Sequence, residues 1–77
     1  MINPAFKMYA HVVAVYDSSN QLTQSKSYDS AEQAHAEYQD MIENLRTVAD
    51  VLGVPLDFTV CRYRDGYLMS MTHTKED

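Results

Sequence analysis

The N-terminal part of the chain has a residue pattern that predicts a β-hairpin. β-Branched and aromatic side chains over residues 6–16, from Phe6 to Tyr16, favour a first strand. The polar segment over residues 22–28 suits a second strand at a solvated sheet edge. Residues 17–20, Asp-Ser-Ser-Asn, can bond the nearby backbone through their side chains, so a turn is expected between the two strands.

The C-terminal part predicts a second hairpin. Strands are expected over residues 56–64 and from residue 67 to about residue 73. Asp65-Gly66 between them is a strong signal for a two-residue turn. In the register of a regular turn of this kind, Val60 faces Met71.

The middle of the chain predicts one long helix over residues 30–52. Its apolar positions recur at alternating intervals of three and four residues, and form a seam that comprises Ala31, Ala34, Tyr38, Met41, Leu45, Val48 and Leu52. Asp29 can cap the first free N–H groups, with Glu32 at the capping-box position. Gly53 favours the left-handed conformation that ends helices, and Pro55 prevents the helix from resuming.

These elements together predict an α+β fold with the order ββαββ. One long helix is expected to pack on one face of a four-stranded antiparallel sheet. Residues 1–77 are expected to form a single domain, because a chain of this length supports one hydrophobic core. The ordered part is predicted over about residues 6–73, followed by a frayed polar tail at residues 74–77.

Two features of this fold predict a homodimer. A helix over residues 30–52 is about 34 Å long, whereas an eight-residue strand is about 27 Å long, so the apolar seam overhangs the sheet. The first strand is also apolar on both faces, although the helix covers only one of them. A second copy would cover these surfaces; the alternative is a central strand with a modest exposed patch.

Composition and charge narrow the classes of function. The 77 residues include 11 acidic and 6 basic ones, and the net charge of −5 argues against a generally basic nucleic-acid binder. A single cysteine excludes an internal disulfide. The sequence has neither an apolar run of membrane-spanning length nor a signal-peptide pattern, so a soluble protein of a reducing, cytoplasmic compartment is expected.

No group of residues predicts catalysis, a metal or a cofactor. The three histidines lack the short spacing of metal-ligand pairs. Cys61 lies in the middle of a strand and is expected to be a buried thiol without a reactive role. Met69, Met71 and His73 recur at a period of two, which suits Cu(I), but core packing explains the same spacing more simply. The chain is therefore interpreted as a non-enzyme without catalytic residues.

The charge is concentrated in the predicted helix and its flanks. Seven of the 11 acidic residues fall within residues 29–58, where Arg46 is the only basic residue. Four of these acids lie on the side of the helix away from the apolar seam: Glu32, Asp40, Glu43 and Asp50. A solvated helix face is the simpler interpretation, and a patch complementary to a basic surface is the alternative.

Tyrosine is frequent in the chain, with six examples, and tyrosine is enriched at protein interfaces. Strands also favour tyrosine, which is the structural alternative. Tyr16 flanks one predicted turn, and Tyr63 and Tyr67 flank the other. Because residues beside turns are often accessible, these three tyrosines are candidate partner-binding residues.

One segment supports a resemblance to a known class of proteins. The chain has a polar hairpin, then a helix that opens with Ser-Tyr-Asp-Ser-Ala-Glu-Gln-Ala at residues 27–34, and then a returning strand. This pattern resembles small phage-encoded inhibitors of host machinery. These include anti-CRISPR proteins and inhibitors of bacterial RNA polymerase. The resemblance covers about residues 9–64 as a pattern. It implies a short, acidic, non-enzymatic protein that blocks a larger complex in a bacterial cytoplasm.

The sequence therefore predicts a protein-binding inhibitor that occludes a basic, nucleic-acid-binding site on a larger partner, without itself binding nucleic acid. The acidic helix face and the three turn-flanking tyrosines would form the contact. Two alternatives remain open. The first is a structural homo-oligomeric accessory protein. The second is a weak nucleic-acid binder that uses Lys7, Lys26, Arg62, Arg64 and the sheet tyrosines.

Overall fold

The computed structural model describes Phe6, residues 9–54 and residues 56–74. Its elements are β1 His11–Tyr16, β2 Leu22–Tyr28, α1 Ala31–Leu52, β3 Thr59–Arg64 and β4 Tyr67–His73. The strands form one antiparallel sheet in the order β2-β1-β3-β4, and α1 packs on one face of this sheet. The predicted α+β class and the ββαββ order are therefore confirmed.

The first strand is shorter than the predicted segment of residues 6–16. β1 begins at His11, and the N–H of Tyr9, ahead of the strand, donates to the carbonyl of Phe6 at 3.1 Å. Residues 7 and 8 of the predicted strand lie outside the described part of the chain. Phe6 is buried and lies outside β1.

The third strand is also shorter than predicted, since β3 begins at Thr59 rather than at residue 56. Leu56 and Phe58 are instead tied to Thr74. The Thr74 hydroxyl donates to the carbonyl of Leu56 at 2.7 Å and accepts the N–H of Phe58 at 3.0 Å. Thr74 is buried, so the prediction that residue 74 belongs to a frayed tail is wrong. Residues 75–77 of that tail, like Pro55, are outside the described residues.

The pairing of β3 with β4 contains a bulge that the sequence did not predict. Arg64 lies opposite Tyr67, as a two-residue turn requires, but the register shifts between Arg62 and Tyr63. An extra residue on β4 moves every later pair by one position. Val60 therefore faces Thr72 and not Met71, so the predicted register is wrong beyond the first two pairs.

The helix side of the sheet holds the first of two hydrophobic clusters. The seam of α1 is buried in the N-terminal half of the helix, where Tyr38 packs against β1 and β3. The hydroxyls of Tyr38 and Thr72 share a hydrogen bond, with 2.5 Å between the two oxygens. The buried members of this cluster are Val13, Val15, Ala34, Tyr38, Ile42 and Val60. This half of α1 holds the helix on the sheet.

The opposite face of the sheet holds the second cluster, which contains Phe6, Val12, Ala14, Cys61 and Tyr63. The rings of Phe6 and Tyr63 lie 4.9 Å apart between centroids and are tilted by 52°, a favourable aromatic arrangement. Part of the second apolar face, which the sequence assigned to a partner, is therefore covered by Phe6 of the same chain. This face alone no longer requires a homodimer.

Both ends of α1 have defined caps. Ser30, in an extended conformation, accepts the N–H of Gln33 through its side-chain oxygen at 3.1 Å, so the prediction that Asp29 is the cap is wrong by one residue. Ser30 suits the position because its short hydroxyl reaches the third N–H of the helix. Gly53 adopts φ 68° at the C-terminal end, as predicted.

The cap can be tested by replacing Ser30 with alanine. The variant should lose about 1 kcal/mol of unfolding free energy, because the Gln33 N–H loses its acceptor. Urea denaturation followed by circular dichroism measures the change. Ser25→Ala, at an exposed strand position, is the control and should change stability by less than about 0.5 kcal/mol. Equal losses in the two variants would mean that the cap does not stabilise the helix.

Candidate acidic docking surface

The predicted acidic face of α1 is present and exposed. Glu32, Asp40, Glu43 and Asp50 all have exposed side chains, whereas Arg46 is half-buried. At 100° per residue, Glu32, Glu43 and Asp50 lie along nearly the same line of the helix, and Asp40 lies about 80° from it. This line runs for about 27 Å. We call these four residues the acidic face.

The C-terminal turns of α1 present a second feature, an apolar helix end. Val48, Val51, Leu52 and Val54 expose between 45% and 79% of their surface, although two of them continue the seam that is buried near Tyr38. The helix thus extends past its packed half, in agreement with the predicted overhang. The four residues form what we call the apolar end.

The apolar end lies in a negative environment. The last turn of α1 contains no basic residue, and Asp50 lies close to it in sequence. The C-terminus of a helix carries a partial negative charge from its aligned peptide dipoles. At 100° per residue, Val48 and Leu52 each lie about 160° from the line of Glu32 and Asp50, so most of the apolar end is on the opposite side of α1 from the acidic face. The acidic face favours a cationic partner, and the apolar end favours an apolar contact.

The three candidate tyrosines differ in accessibility. Tyr67 is 53% exposed, as expected for a residue beside a turn, but Tyr63 is only 5% exposed. The Tyr63 side chain lies beneath Phe6 and shares a hydrogen bond of 3.1 Å with the hydroxyl of the half-buried Tyr16. Tyr63 therefore supports the second cluster and does not present its ring to a partner.

Sequence reasoning missed a groove between β2 and α1, with a volume of about 320 Å³. The Lys26 ammonium lies 5.6 Å from the centroid of the Tyr28 ring, a cation–π contact. Burial, and secondarily the Glu37 carboxylate, raise the pKa of the Tyr28 hydroxyl. Strand and helix residues distant in sequence meet here, and no local pattern indicates such a groove.

Of the residues considered for chemistry, Cys61 and His73 have structural contacts. Met69 and Met71 are exposed, so the expectation that core packing explains their spacing is wrong. Cys61 is buried in the second cluster, and burial raises the pKa of its thiol despite an opposing hydrogen bond from Tyr63. A protonated, enclosed thiol is a poor nucleophile. His73 contacts the Thr59 hydroxyl through Nδ1 at 2.8 Å. Within the described part of the chain, no three histidine, cysteine or acidic residues are grouped as a metal site requires.

Comparisons with known proteins do not extend this picture. Searches against protein-family models, curated proteins and solved structures give no match. Over the described residues, no helix has the length and apolar character needed to cross a membrane.

Proposed function

We propose that the chain is a small acidic protein-binding module that occludes a basic, nucleic-acid-binding site on a larger partner. The observation that carries this proposal is the exposed acidic face of α1, in a protein with a net charge of −5. In keeping with the resemblance to phage-encoded inhibitors, the partner would be a complex in the cytoplasm of a bacterial host. The module needs no catalytic residue, metal or cofactor for this role.

The acidic face would guide the encounter with the partner. Exposed carboxylates raise the rate of encounter with a cationic site, because they attract it over about a Debye length of 10 Å at 0.1 M salt. The apolar end lies mostly on the opposite side of the helix, so it would add buried apolar area only with a partner that also wraps around the C-terminal end of α1. Tyr67, exposed at the β3–β4 turn, is a further candidate contact, whereas Tyr16 and Tyr63 contribute by supporting the sheet.

The alternative of a weak nucleic-acid binder receives less support from the placement of its residues. Arg62 is half-buried and its Nε is enclosed without a hydrogen-bond partner, whereas Lys26 and Arg64 are exposed. Tyr63 is buried and cannot stack on a base. Lys7 lies outside the described residues. The acidic face would also repel a polyanion.

Competition with nucleic acid tests the occlusion mechanism. The tagged protein captures its partner from a nuclease-treated bacterial lysate, and single-stranded or duplex nucleic acid is then added. Occlusion predicts that the nucleic acid and the protein exclude each other, so the added strand releases the partner. A stable ternary complex, or capture only of partners that do not bind nucleic acid, would contradict the proposal.

The role of the acidic face can be measured with charge-matched variants. Asp40→Asn with Glu43→Gln removes two negative charges from α1, and Ser25→Lys with Ser27→Lys adds two positive charges on β2. Both changes take the net charge from −5 to −3.

The two pairs of substitutions should differ in their binding kinetics. We expect the helix variant to associate with the captured partner at least roughly threefold more slowly at low salt, with a weaker salt dependence, while the strand variant changes less. Surface-plasmon resonance at low and high salt measures these rates. If the two variants behave alike, only overall charge matters and the acidic face is a solvated surface.

A further inference from the structure

The outer edge of β4 differs from the rest of the protein surface. β4 pairs with β3 along one side, and no strand among the described residues pairs with its other side. Its exposed residues include Tyr67, Met69 and Met71, and the strand contains no charged residue before His73. An uncharged edge with exposed apolar side chains is a template for another strand.

β2, at the opposite edge of the sheet, has the features that normally prevent such pairing. Its side chains are polar and exposed along nearly the whole strand, and Lys26 lies near its middle. A charged lysine on an edge strand discourages the approach of a second strand. The two edges of one sheet are therefore unequal, and only β4 lacks a charge that would oppose pairing.

The hydrogen bonds of β4 identify which backbone groups face outward. The N–H of Thr74 donates to the carbonyl of Phe58 at 2.9 Å, so residues 58 and 74 take the place of a hydrogen-bonded pair, in which the Phe58 N–H donates to the Thr74 hydroxyl instead of the Thr74 carbonyl. In an antiparallel ladder such pairs alternate, which makes Thr72 with Val60 the next one. The backbone N–H and C=O groups of Met71 and His73 are therefore directed away from β3, towards the open edge.

We propose that this edge binds the β4 edge of a second copy of the chain, which joins two sheets into one of eight strands. The proposal is independent of the protein-binding function assigned to α1. Around a two-fold axis at Thr72, Met71 lies opposite His73 of the second copy, and each pair exchanges two backbone hydrogen bonds. In this register, the outward N–H and C=O groups of Met71 and His73 are all hydrogen-bonded on each copy.

For self-association, the distribution of charge favours the β4 edge over the helix surface. The net charge of −5 is carried largely by α1, so two copies that met through their helices would repel each other. Apart from His73, antiparallel β4 edges bring together side chains that carry no charge, and methionine adapts easily to an irregular apolar contact. The bulge lies towards the Tyr67 end of β4 and leaves residues 70–73 regular.

Two substitutions at Met71 test the interface, with Ser25→Lys on the β2 edge as the matched control. Met71→Lys puts like charges close together across the two-fold axis, which opposes pairing. Met71→Pro removes only an outward N–H and leaves the bonds to β3 in place. Sedimentation equilibrium over roughly a hundredfold range of concentration measures the dimer, and circular dichroism verifies the fold.

We expect a reversible wild-type dimer whose dissociation constant rises at least tenfold in either Met71 variant and is unchanged by Ser25→Lys. If the proline variant fails to fold, the lysine variant at this half-exposed position still decides the question. A wild type that stays monomeric over the whole range overturns the proposal. So does a dimer that is insensitive to Met71→Lys or equally sensitive to Ser25→Lys.

Discussion

Replacing Tyr38 with alanine should lower the free energy of unfolding by about 3–5 kcal/mol. The ring is buried between α1 and the sheet, and its hydroxyl bonds to Thr72 on β4. The substitution leaves a cavity at the point where the packed half of the helix meets the sheet. In a domain of 77 residues, whose total stability is on the order of 5–10 kcal/mol, such a loss leaves little margin.

Tyr38→Phe separates the hydrogen bond from the packing of the ring. This variant keeps the ring in place and should lose only about 1 kcal/mol, the usual contribution of one buried hydrogen bond. Thermal and urea denaturation of both variants measure the two contributions. If Tyr38→Ala cost no more than Tyr38→Phe, the ring would not be the main contact between helix and sheet.

Replacing Phe6 with alanine should open the second cluster and make Cys61 accessible to thiol reagents. Phe6 packs on Tyr63, and Cys61 is buried in the same cluster. Loss of the ring should lower the unfolding free energy by about 3 kcal/mol. If labelling occurs through opening of the fold, the rate should then rise on the order of a hundredfold, since 1.4 kcal/mol corresponds to a factor of ten.

The labelling experiment reports on one site, because Cys61 is the only cysteine in the chain. Rates of reaction with a chromogenic disulfide are compared at one pH, since the thiolate is the reacting form and burial raises the pKa of this thiol. Tyr9→Ala, which truncates an exposed aromatic residue near Phe6 in sequence, should label at nearly the wild-type rate. Fast labelling of the wild type would mean that Phe6 does not protect the cluster.

Local patterns were sufficient to predict the elements whose ends are determined by neighbouring residues. The seam and Gly53 defined α1 to within a residue, and Asp65-Gly66 defined the β3–β4 turn. Strand ends that depend on distant contacts were not predictable. β3 begins at Thr59 because residues 56 and 58 are bound by Thr74, 16 to 18 positions away. The bulge on β4 has no glycine or proline to mark it.

The candidate site was predictable to the extent that it lies on the helix. Helical periodicity alone places Glu32 and the other three carboxylates on the side of α1 opposite its apolar seam, independently of the sheet. In the structure all four side chains are exposed. Tyr63 was misjudged as accessible because its burial depends on Phe6, a residue 57 positions earlier in the chain. The open edge of β4 follows from the strand order, which the sequence of elements alone does not specify.

The two hydrophobic clusters have a consequence for how the protein unfolds. Consecutive residues of β1 alternate between them, with Val12 in one and Val13 in the other, and Val60 and Cys61 do the same in β3. Both clusters share the central strands β1 and β3, so the loss of packing in one cluster also disturbs the strands that support the other. Despite having a helix on one face and an aromatic cover on the other, the domain should behave as a single cooperative unit, with one transition seen by every probe.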